Sequence, residues 1–316
     1  MTRILIVGPR GIGAVHARVL RGLGAELCGL VATGVESARA SARSLRAELG
    51  VEVPAFADVE EGLDRSRPEA VVIASPAGCH RAHLLAALAR ELPVLCEKPL
   101  HWPEHDVGVE LAHFREELAS RHGARLLLNT TGVHFIEAVL DELEDPDGDL
   151  EFEFHTLGRA TGEAIAVDLL PHAFALLGQL QPIEERFDEL AVDFAPHHFA
   201  AGFHQAGRRV RLDLRADPCG TKHLAFSVGG QRFTRRQQGS GVSYRVFLED
   251  ARGRQRELED PFVTRARRFL ALCAGRGDWS AARAEALVNQ AALVRFLRAT
   301  PRRQRTTSEE DPCLRA

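Results

Sequence analysis

The chain has 316 residues, of which 45% are hydrophobic and 27% are charged. This length suits two domains of ordinary size, and the composition excludes a collagen-like or wholly disordered chain. The formal net charge of -4 argues against a dedicated nucleic-acid-binding protein, which carries a basic excess.

The composition and the N-terminal segment favour a cytoplasmic protein. Apolar runs are much shorter than the roughly 20 residues that a membrane-spanning helix needs. The N-terminal residues MTRILIVG begin a strand pattern at once and lack the apolar segment of a signal peptide. The six cysteines are scattered, as expected for free thiols in a reducing compartment. We therefore expect neither a membrane nor a nucleic acid as a partner.

The first 128 residues alternate strand patterns with helical patterns. The expected strands are RILIVG, ELCGLVAT, AVVIAS, PVLCEK and ARLLLNTT, with a helical pattern after each of the first four. Such alternation is typical of β-α-β units on a parallel sheet. The sequence therefore predicts a doubly wound, dinucleotide-binding Rossmann domain over residues 1–128.

The pattern changes after about residue 150. EFEFHT, RVRLDLRAD, HLAFSVGG, QRFTRR and SYRVFLED alternate apolar with polar residues, which indicates a mostly antiparallel sheet with one covered face. The helix LLPHAFALLGQL interrupts them, and two further helical patterns follow. We predict an α+β domain with an open sheet over residues 129–300. The polar tail, residues 301–316, is expected to be disordered.

A glycine-rich turn follows the first strand. Gly8 and Gly13 occupy the outer positions of a G-x-G-x-x-G motif, whereas Arg10 replaces the middle glycine and Gly11 follows it. A turn in this place directs the amides of a helix N-terminus at a pyrophosphate. The guanidinium of Arg10 can itself meet a phosphate. The residues predicted to contact a dinucleotide here are Gly8, Arg10, Gly11, Ile12 and Gly13.

The end of the second strand bears on the choice between NADP and NAD. An NAD site usually places Asp or Glu about 20 residues after the turn, where it binds the ribose 2′-hydroxyl. Thr33 holds that position here, and Glu36 is the nearest carboxylate. Thr33, Ser37 and Arg39, together with Arg10, would suit a 2′-phosphate. NADP is therefore favoured over NAD, with NAD as the alternative.

Lysine is rare in this chain. Only two of the 40 basic residues are lysines, Lys98 and Lys222. A coding bias towards arginine would spare lysine mainly where arginine cannot replace it. Lys98 falls where a predicted parallel strand ends, the edge at which such sheets bind ligands. Beside a cofactor it would orient a substrate oxygen and stabilise developing charge; the alternative is an ordinary surface lysine.

Asp168 and His172 lie four residues apart in the apolar helical pattern of the second domain. This spacing places both on one face of a helix. The histidine could exchange a proton near neutral pH, and the carboxylate could orient it. Two alternatives stay open: Asp168 caps the helix with Pro171 in its first turn, or His172 is a core residue.

Two turns resemble a known family. SPAGCH at residues 75–80 and EKP at 97–99, behind a glycine turn, resemble the glucose–fructose oxidoreductase/inositol dehydrogenase (Gfo/Idh/MocA) family over most of the first 140 residues. Asp168 and His172 match that family's Asp-x-x-x-His motif. The resemblance implies that Ser75, Pro76, His80, Glu97 and Lys98 contribute to the cofactor site.

The resemblance implies an NAD(P)-dependent dehydrogenase or reductase acting on a sugar, polyol or related small carbonyl compound. His172 would donate or accept the proton, Lys98 would hold the reacting oxygen, and Asp168 would support His172. It also implies that residues 129–300 form the substrate-binding and oligomerisation domain, with a homodimer or homotetramer formed through the C-terminal sheet. We expect no metal ion, because His197, His198 and His204 lack a recognisable ligand spacing.

Two other functions stay open. The run EKPLH, the NT of LLLNTT and the missing middle glycine are also similar to NADPH-dependent imine reductases of the thiazoline type in specialised metabolism. A cofactor-binding sensor or scaffold without turnover is the alternative from another class, although the complete set of Lys98, Asp168 and His172 argues against it.

Overall fold

The structure, a computed structural model, describes residues 1–103, 107–121, 123–239 and 244–300. Two compact units make up the chain, each with its own sheet. The first unit comprises Met1–His134 and Glu259–Gln290, and the second comprises Phe135–Leu258 and residues 291–300. The tail for which disorder was predicted, residues 301–316, lies outside the described residues.

The first unit contains a six-stranded parallel sheet. Its strands are β1 (Arg3–Val7), β2 (Glu26–Val31), β3 (Ala55–Phe56), β4 (Ala70–Ile73), β5 (Val94–Glu97) and β6 (Leu126–Asn129). The helices α1 (Ile12–Gly22), α2 (Val35–Leu49), α3 (Val59–Ser66), α4 (His80–Ala89) and α5 (Val107–Ala119) alternate with them, and α6 (Gly132–Glu137) follows β6. The strand order β3-β2-β1-β4-β5-β6 is that of a doubly wound dinucleotide-binding sheet and confirms the predicted Rossmann fold.

Both faces of this sheet are covered. In β1, Leu5 and Val7 belong to one hydrophobic cluster, and Ile4 and Ile6 belong to the other. Successive side chains of a strand point to opposite faces, so a strand covered on both sides is apolar at every position. This explains why the strands of the first unit appear in the sequence as unbroken apolar runs.

The first unit is discontinuous in sequence, which differs from the two continuous domains that we predicted. Helix α8 (Pro261–Cys273) and most of α9 (Trp279–Ala299) belong to it. Ala266 and Phe269 of α8 are fully buried in the hydrophobic cluster that contains Ile4 and Ile6. The predicted assignment of residues 259–290 to the second domain is therefore corrected, because their apolar face completes the Rossmann core.

The second unit contains an eight-stranded sheet in the order β14-β13-β12-β11-β7-β10-β9-β8. The strands are β7 (Leu150–Thr156), β8 (Asp188–Ala195), β9 (His198–Gln205), β10 (Arg208–Ala216), β11 (His223–Val228), β12 (Gln231–Gln238), β13 (Arg245–Asp250) and β14 (Gln255–Leu258). Among the described strand pairs of this second sheet, only β10 and β7 are parallel. This arrangement confirms the predicted open, mostly antiparallel sheet.

Helix α7 (Glu163–Leu180) packs on one face of this sheet. Burial alternates along β10, with Leu212 and Leu214 inward and Arg211 and Arg215 outward, as expected for a sheet covered on one face. Among the described helices, α7 has the length and hydropathy of a membrane span, but 56% of it is buried. The packing of its apolar side chains explains that hydropathy without a membrane.

Candidate functional site

The glycine turn closes tightly at two positions. Gly8 has φ +82°, and a Cβ there would overlap the backbone of Ala74 and Ser75. A Cβ on Gly13 would overlap the carbonyl oxygen of Gly8. The amide of Gly8 also donates to the carbonyl of Val31 at 2.8 Å. Glycine is therefore required at positions 8 and 13 for the turn to join β1 to α1.

The N-terminus of α1 faces open space. Gly11 precedes the helix without a side-chain cap, and the first turn has no acidic residue. Arg10, Gly11 and Ile12 are exposed, and a Cβ built on Gly11 would meet nothing within 4 Å. Uncapped amides at the positive end of a helix dipole bind anions. These residues therefore fit the pyrophosphate of a dinucleotide.

Strand order brings the second motif beside the glycine turn. β1 and β4 are neighbours, and Ser75 follows β4 where Gly8 follows β1. Pro76 is exposed and Ser75 is half-buried. The Ser75 hydroxyl lies 3.0 Å from Nδ1 of His83, whose pKa is lowered by burial. The sequence analysis placed Ser75 at the cofactor edge but did not anticipate its pairing with His83.

His80 connects two turns inside the first unit. It is 1% exposed, and its Nδ1 lies 2.8 Å from the Pro99 carbonyl, while its Nε2 lies 2.6 Å from the Ser75 carbonyl. Burial lowers the pKa of His80. Both ring nitrogens thus lie beside backbone carbonyls, and a neutral imidazole can donate to one of them at a time. The imidazole therefore has an internal role between the two turns, and its contribution to the cofactor site stays a prediction.

The side chain of Glu97 is also engaged internally. It is 7% exposed, and its Oε1 lies 2.7 Å from His16 Nε2 and accepts a bond from Asn129 Nδ2 at 2.6 Å. Burial alone would raise the pKa of Glu97, but these hydrogen bonds and the charges of His16 and Lys98 lower it to about 2. Glu97 is therefore a carboxylate at neutral pH, held inside the protein rather than turned towards a ligand.

The sequence analysis missed His16 and Asn129. His16 lies on the buried face of α1, and Asn129 is the last residue of β6. A polar residue at each of these apolar positions was the available signal, since buried polar groups need a partner. Their common partner became visible only with the order of the strands.

Lys98 follows β5 directly and is partly exposed. Its peptide bond to Pro99 is cis. The strand order puts this residue at the carboxyl edge of the sheet, on the same edge as the glycine turn and Ser75. Ligands of doubly wound sheets bind at this edge. The other lysine, Lys222, is exposed in the second unit.

The residues predicted to recognise a 2′-phosphate lie around the start of α2. Thr33 is exposed, Ser37 is half-buried, and Arg39 is exposed. The guanidinium of Arg39 pairs with Glu36 at 3.0 Å, one helical turn away. This ion pair was not anticipated, and it partly neutralises Arg39. Arg10 is the other cation of the predicted group.

In the second unit, α7 begins earlier than predicted. It starts at Glu163 after Gly162, so Asp168 lies inside the helix and Pro171 is not in the first turn. The alternative in which Asp168 caps the helix is therefore wrong. His172 is 6% exposed, and its ring meets Phe154 edge-on at 5.2 Å. Asp168 is half-buried, and the four-residue spacing keeps both side chains on one face of α7.

The three histidines considered as metal ligands lie in or before β9. His197 Nδ1 is 3.0 Å from the Ala216 carbonyl, while His198 and His204 face carboxylates at 3.4 and 3.3 Å. Within the described residues, no group of three or more His, Cys, Asp or Glu side chains is placed to hold a metal ion.

Comparison with known proteins bears on this arrangement. Residues 2–126 match the family model described as "Oxidoreductase family, NAD-binding Rossmann fold" (GFO_IDH_MocA). The chain carries a domain of the Gfo/Idh/MocA oxidoreductase family. This domain contains the glycine turn, SPAGCH and EKP, the motifs on which the resemblance was based.

Curated relatives match the same Gfo/Idh/MocA domain. An inositol 2-dehydrogenase of Arthrobacter sp. (strain FB24) is 33% identical over 121 residues, covering 38% of this chain and 34% of the relative. A glucose-6-phosphate 3-dehydrogenase of Bacillus subtilis (strain 168) is 32% identical over 126 residues, covering 40% and 32%. The match thus spans about a third of the length of each of these relatives.

Solved structures extend the likeness of fold beyond the Gfo/Idh/MocA domain. A scyllo-inositol dehydrogenase from Lactobacillus casei, with bound NAD(H) and scyllo-inositol, has a TM-score of 0.72 and 16% identity, covering 95% of this chain and 96% of that one. The WlbA (WbpB) dehydrogenase from Thermus thermophilus, in complex with NAD and UDP-GlcNAcA, has a TM-score of 0.64 and 23% identity, covering 99% and 100%. At these identities the likeness concerns the fold alone.

Proposed function

We propose that this protein is an NAD(P)-dependent dehydrogenase acting on a sugar, a polyol or a related small carbonyl compound. The observation that carries the proposal is the position of Lys98, at the carboxyl edge of the sheet that also presents the uncapped glycine turn. Curated relatives that match this domain are an inositol 2-dehydrogenase and a glucose-6-phosphate 3-dehydrogenase. A polyol or sugar therefore forms the first substrate panel.

The proposed roles follow from the chemistry of the side chains. The bound dinucleotide supplies a nicotinamide carbon that exchanges hydride with a substrate carbon. The ammonium of Lys98 holds the reacting oxygen and stabilises the negative charge that develops on it. His172 takes or returns the hydroxyl proton. Asp168, one helical turn earlier, orients the imidazole and stabilises its cationic form.

For the cofactor we propose a preference for NADPH. The proposal is supported by Thr33, which stands where an NAD site usually has a carboxylate, and by the exposed guanidinium of Arg10. Glu36 is the nearest carboxylate and is engaged by Arg39. A preference for NADH would assign Glu36 to the ribose hydroxyl and leave the enzyme class unchanged.

The test combines dinucleotide titration with turnover. Fluorescence titration should show tighter binding of NADPH than of NADH. Lys98→Met should keep dinucleotide affinity within about threefold and lower kcat by about 100-fold or more, the size of effect seen when a transition-state donor is removed. Lys222→Met, at the other lysine, serves as the matched control and should change neither quantity. Full turnover by Lys98→Met would contradict the proposal.

The substrate panel also separates the alternatives. It includes inositols, sugar phosphates and cyclic imines, assayed by the change in dinucleotide absorbance. Reduction of imines alone would assign the protein to the imine reductases. Dinucleotide binding without turnover of any carbonyl or imine compound would support a sensor or scaffold.

We also propose that the open face of the second unit's sheet joins copies of the chain into a dimer or tetramer in the cytoplasm. This face carries cross-strand ion pairs such as Arg211–Glu151 and Arg232–Glu153. The described cysteines form no disulfide bond, which is the state expected in a reducing compartment.

A further inference from the structure

The residues on both sides of Lys98 are buried and hydrogen-bonded to distant elements. On one side, His16 of α1 and Asn129 of β6 converge on the same oxygen of Glu97, at 2.7 and 2.6 Å. On the other side, His80 Nδ1 lies 2.8 Å from the carbonyl of Pro99. The segment 97–99 is therefore held from a helix and a strand at its start, and from a second helix at its end.

His16 and Asn129 have no other described side-chain hydrogen bond. They are 1% and 2% exposed, and His16 Nδ1 and Asn129 Oδ1 find no partner among the described residues. A buried polar side chain that is only half satisfied is costly, and packing an apolar residue there would avoid the cost. Among the described residues, Glu97 is therefore the hydrogen-bond partner of both side chains, and their burial is offset by these two bonds.

The charge of Glu97 makes this contact strong. Burial raises the pKa of its carboxyl, but the two hydrogen bonds and the neighbouring positive charges lower it to about 2. Hydrogen bonds to an ionised acceptor are shorter and stronger than neutral ones. Removing one donor leaves a buried carboxylate with an unpaired lone pair and takes away one of the two contacts that fix the Glu97 side chain. Lys98 is attached directly to the backbone of Glu97.

We propose that His16, Asn129 and His80 are positioning residues, which act through Glu97 and Pro99 to hold Lys98 in one place at the sheet edge. That this position of Lys98 serves catalysis rests on the proposed function. The cluster also connects α1, the helix that begins at the glycine turn, to the segment that carries Lys98.

The scarcity of lysine allows a direct test that does not need activity. In full-length protein with lysine ¹³C-labelled at the ε-methylene, proton–carbon correlation spectra contain two ε signals, from Lys98 and Lys222, assigned with Lys98→Arg and Lys222→Arg. If the Lys98 side chain is fixed in one conformation, its two ε-protons should have different chemical shifts. The two ε-protons of exposed Lys222 should share one averaged shift. In His16→Ala and Asn129→Ala, the two ε-proton shifts of Lys98 should merge into one averaged shift, as expected for Lys222.

Two further variants separate positioning from general destabilisation. His16→Gln keeps an N–H donor and should restore the wild-type Lys98 signal. Leu20→Ala removes a fully buried side chain from the same helix without removing a contact to Glu97. It should lower the melting temperature and leave the Lys98 signal unchanged. His80→Ala tests the Pro99 side in the same way.

Activity provides a second measurement once a substrate is known. His16→Ala should lower kcat by about 10- to 100-fold, the usual cost of a misplaced catalytic group, with the dinucleotide Kd within about threefold. The inference is overturned if the Lys98 signal stays split in both alanine variants, or if Leu20→Ala averages it equally. Because the spectra read Lys98 without turnover, failure to find a substrate would count against the proposed function only.

Discussion

Gly13 is the residue at which the glycine turn tolerates least change. A Cβ there would overlap the carbonyl oxygen of Gly8, and the collision involves backbone on both sides. We expect Gly13→Ala to lower the free energy of unfolding by about 3 kcal/mol or more and to abolish dinucleotide binding. Urea denaturation and fluorescence titration measure the two effects.

Gly34 provides the matched control for that substitution. It precedes α2 with an extended backbone, φ -170°, and an added Cβ would meet nothing within 4 Å. Gly34→Ala should change stability by less than about 1 kcal/mol. If Gly13→Ala and Gly34→Ala lowered the free energy of unfolding equally, the turn would not depend on the close approach at Gly13.

Glu97 should make the first unit sensitive to acid. Its pKa is lowered from 4.5 to about 2 in the folded protein, so the folded state favours the carboxylate. The resulting stabilisation, at most about 3 kcal/mol, is complete above pH 4.5 and is lost as the pH falls through 2.

A comparison of wild type with Glu97→Gln isolates this contribution. The difference between their unfolding free energies, measured with urea at several pH values, should be at its full value above pH 4.5 and should narrow below it. A difference that stays constant down to pH 3 would mean that the folded carboxyl has an ordinary pKa.

At the scale of elements, Arg208 joins the turn before β7 to the start of β10. It is 3% exposed and donates to the carbonyls of Pro146 and Gly148 and to Oε1 of Gln181. A buried guanidinium with several acceptors is costly to remove, because the acceptors stay buried without donors.

We therefore expect Arg208→Met to lower the free energy of unfolding by about 3 kcal/mol. Arg43 is exposed on α2, and Arg43→Met should stay within about 0.5 kcal/mol of wild type. Thermal and urea unfolding measure both variants. A small effect at Arg208 would show that water replaces the lost donors.

Helix α7 is longer than its sequence pattern predicted. The apolar run LLPHAFALLGQL predicted a helix from about residue 169, yet the helix starts at Glu163 and contains Pro171. Packing against the sheet keeps the helix continuous through a residue that ordinarily breaks one. Asp168 is therefore placed one turn before His172 by the helix, rather than at its end.

At the scale of the molecule, the proposed oligomer depends on the open face of the second unit's sheet. Ala200 and Gly202 are small residues on this face, next to Arg209 and Arg211. Ala200→Arg adds bulk and positive charge to that surface. It should convert a dimer or tetramer into a monomer in light scattering, with an unchanged circular dichroism spectrum.

Ala47→Arg, on the exposed surface of α2, is the control for that change and should keep the wild-type mass. A wild-type protein that is already monomeric at micromolar concentration would contradict the proposed oligomer.

The sequence by itself determined the class of fold and the main positions of the candidate site. Strands buried on both faces are apolar throughout, and strands buried on one face alternate, so both sheets were visible in the pattern. Gly8, Gly13 and Lys98 could be singled out because local backbone geometry or unusual composition marks them. Four strands were missed: β3 and β14 are short, and small residues and histidines weaken the alternation of β8 and β9.

Tertiary structure alone decided which distant residues meet. His16 and Asn129 lie 81 and 32 positions from Glu97, and periodicity within one element carries no information about such pairs. The same holds for α8, whose apolar face fills the core of the first unit although it follows the second sheet in sequence. Local patterns encode local geometry, whereas contacts between distant residues depend on the spatial order of the strands in the sheet.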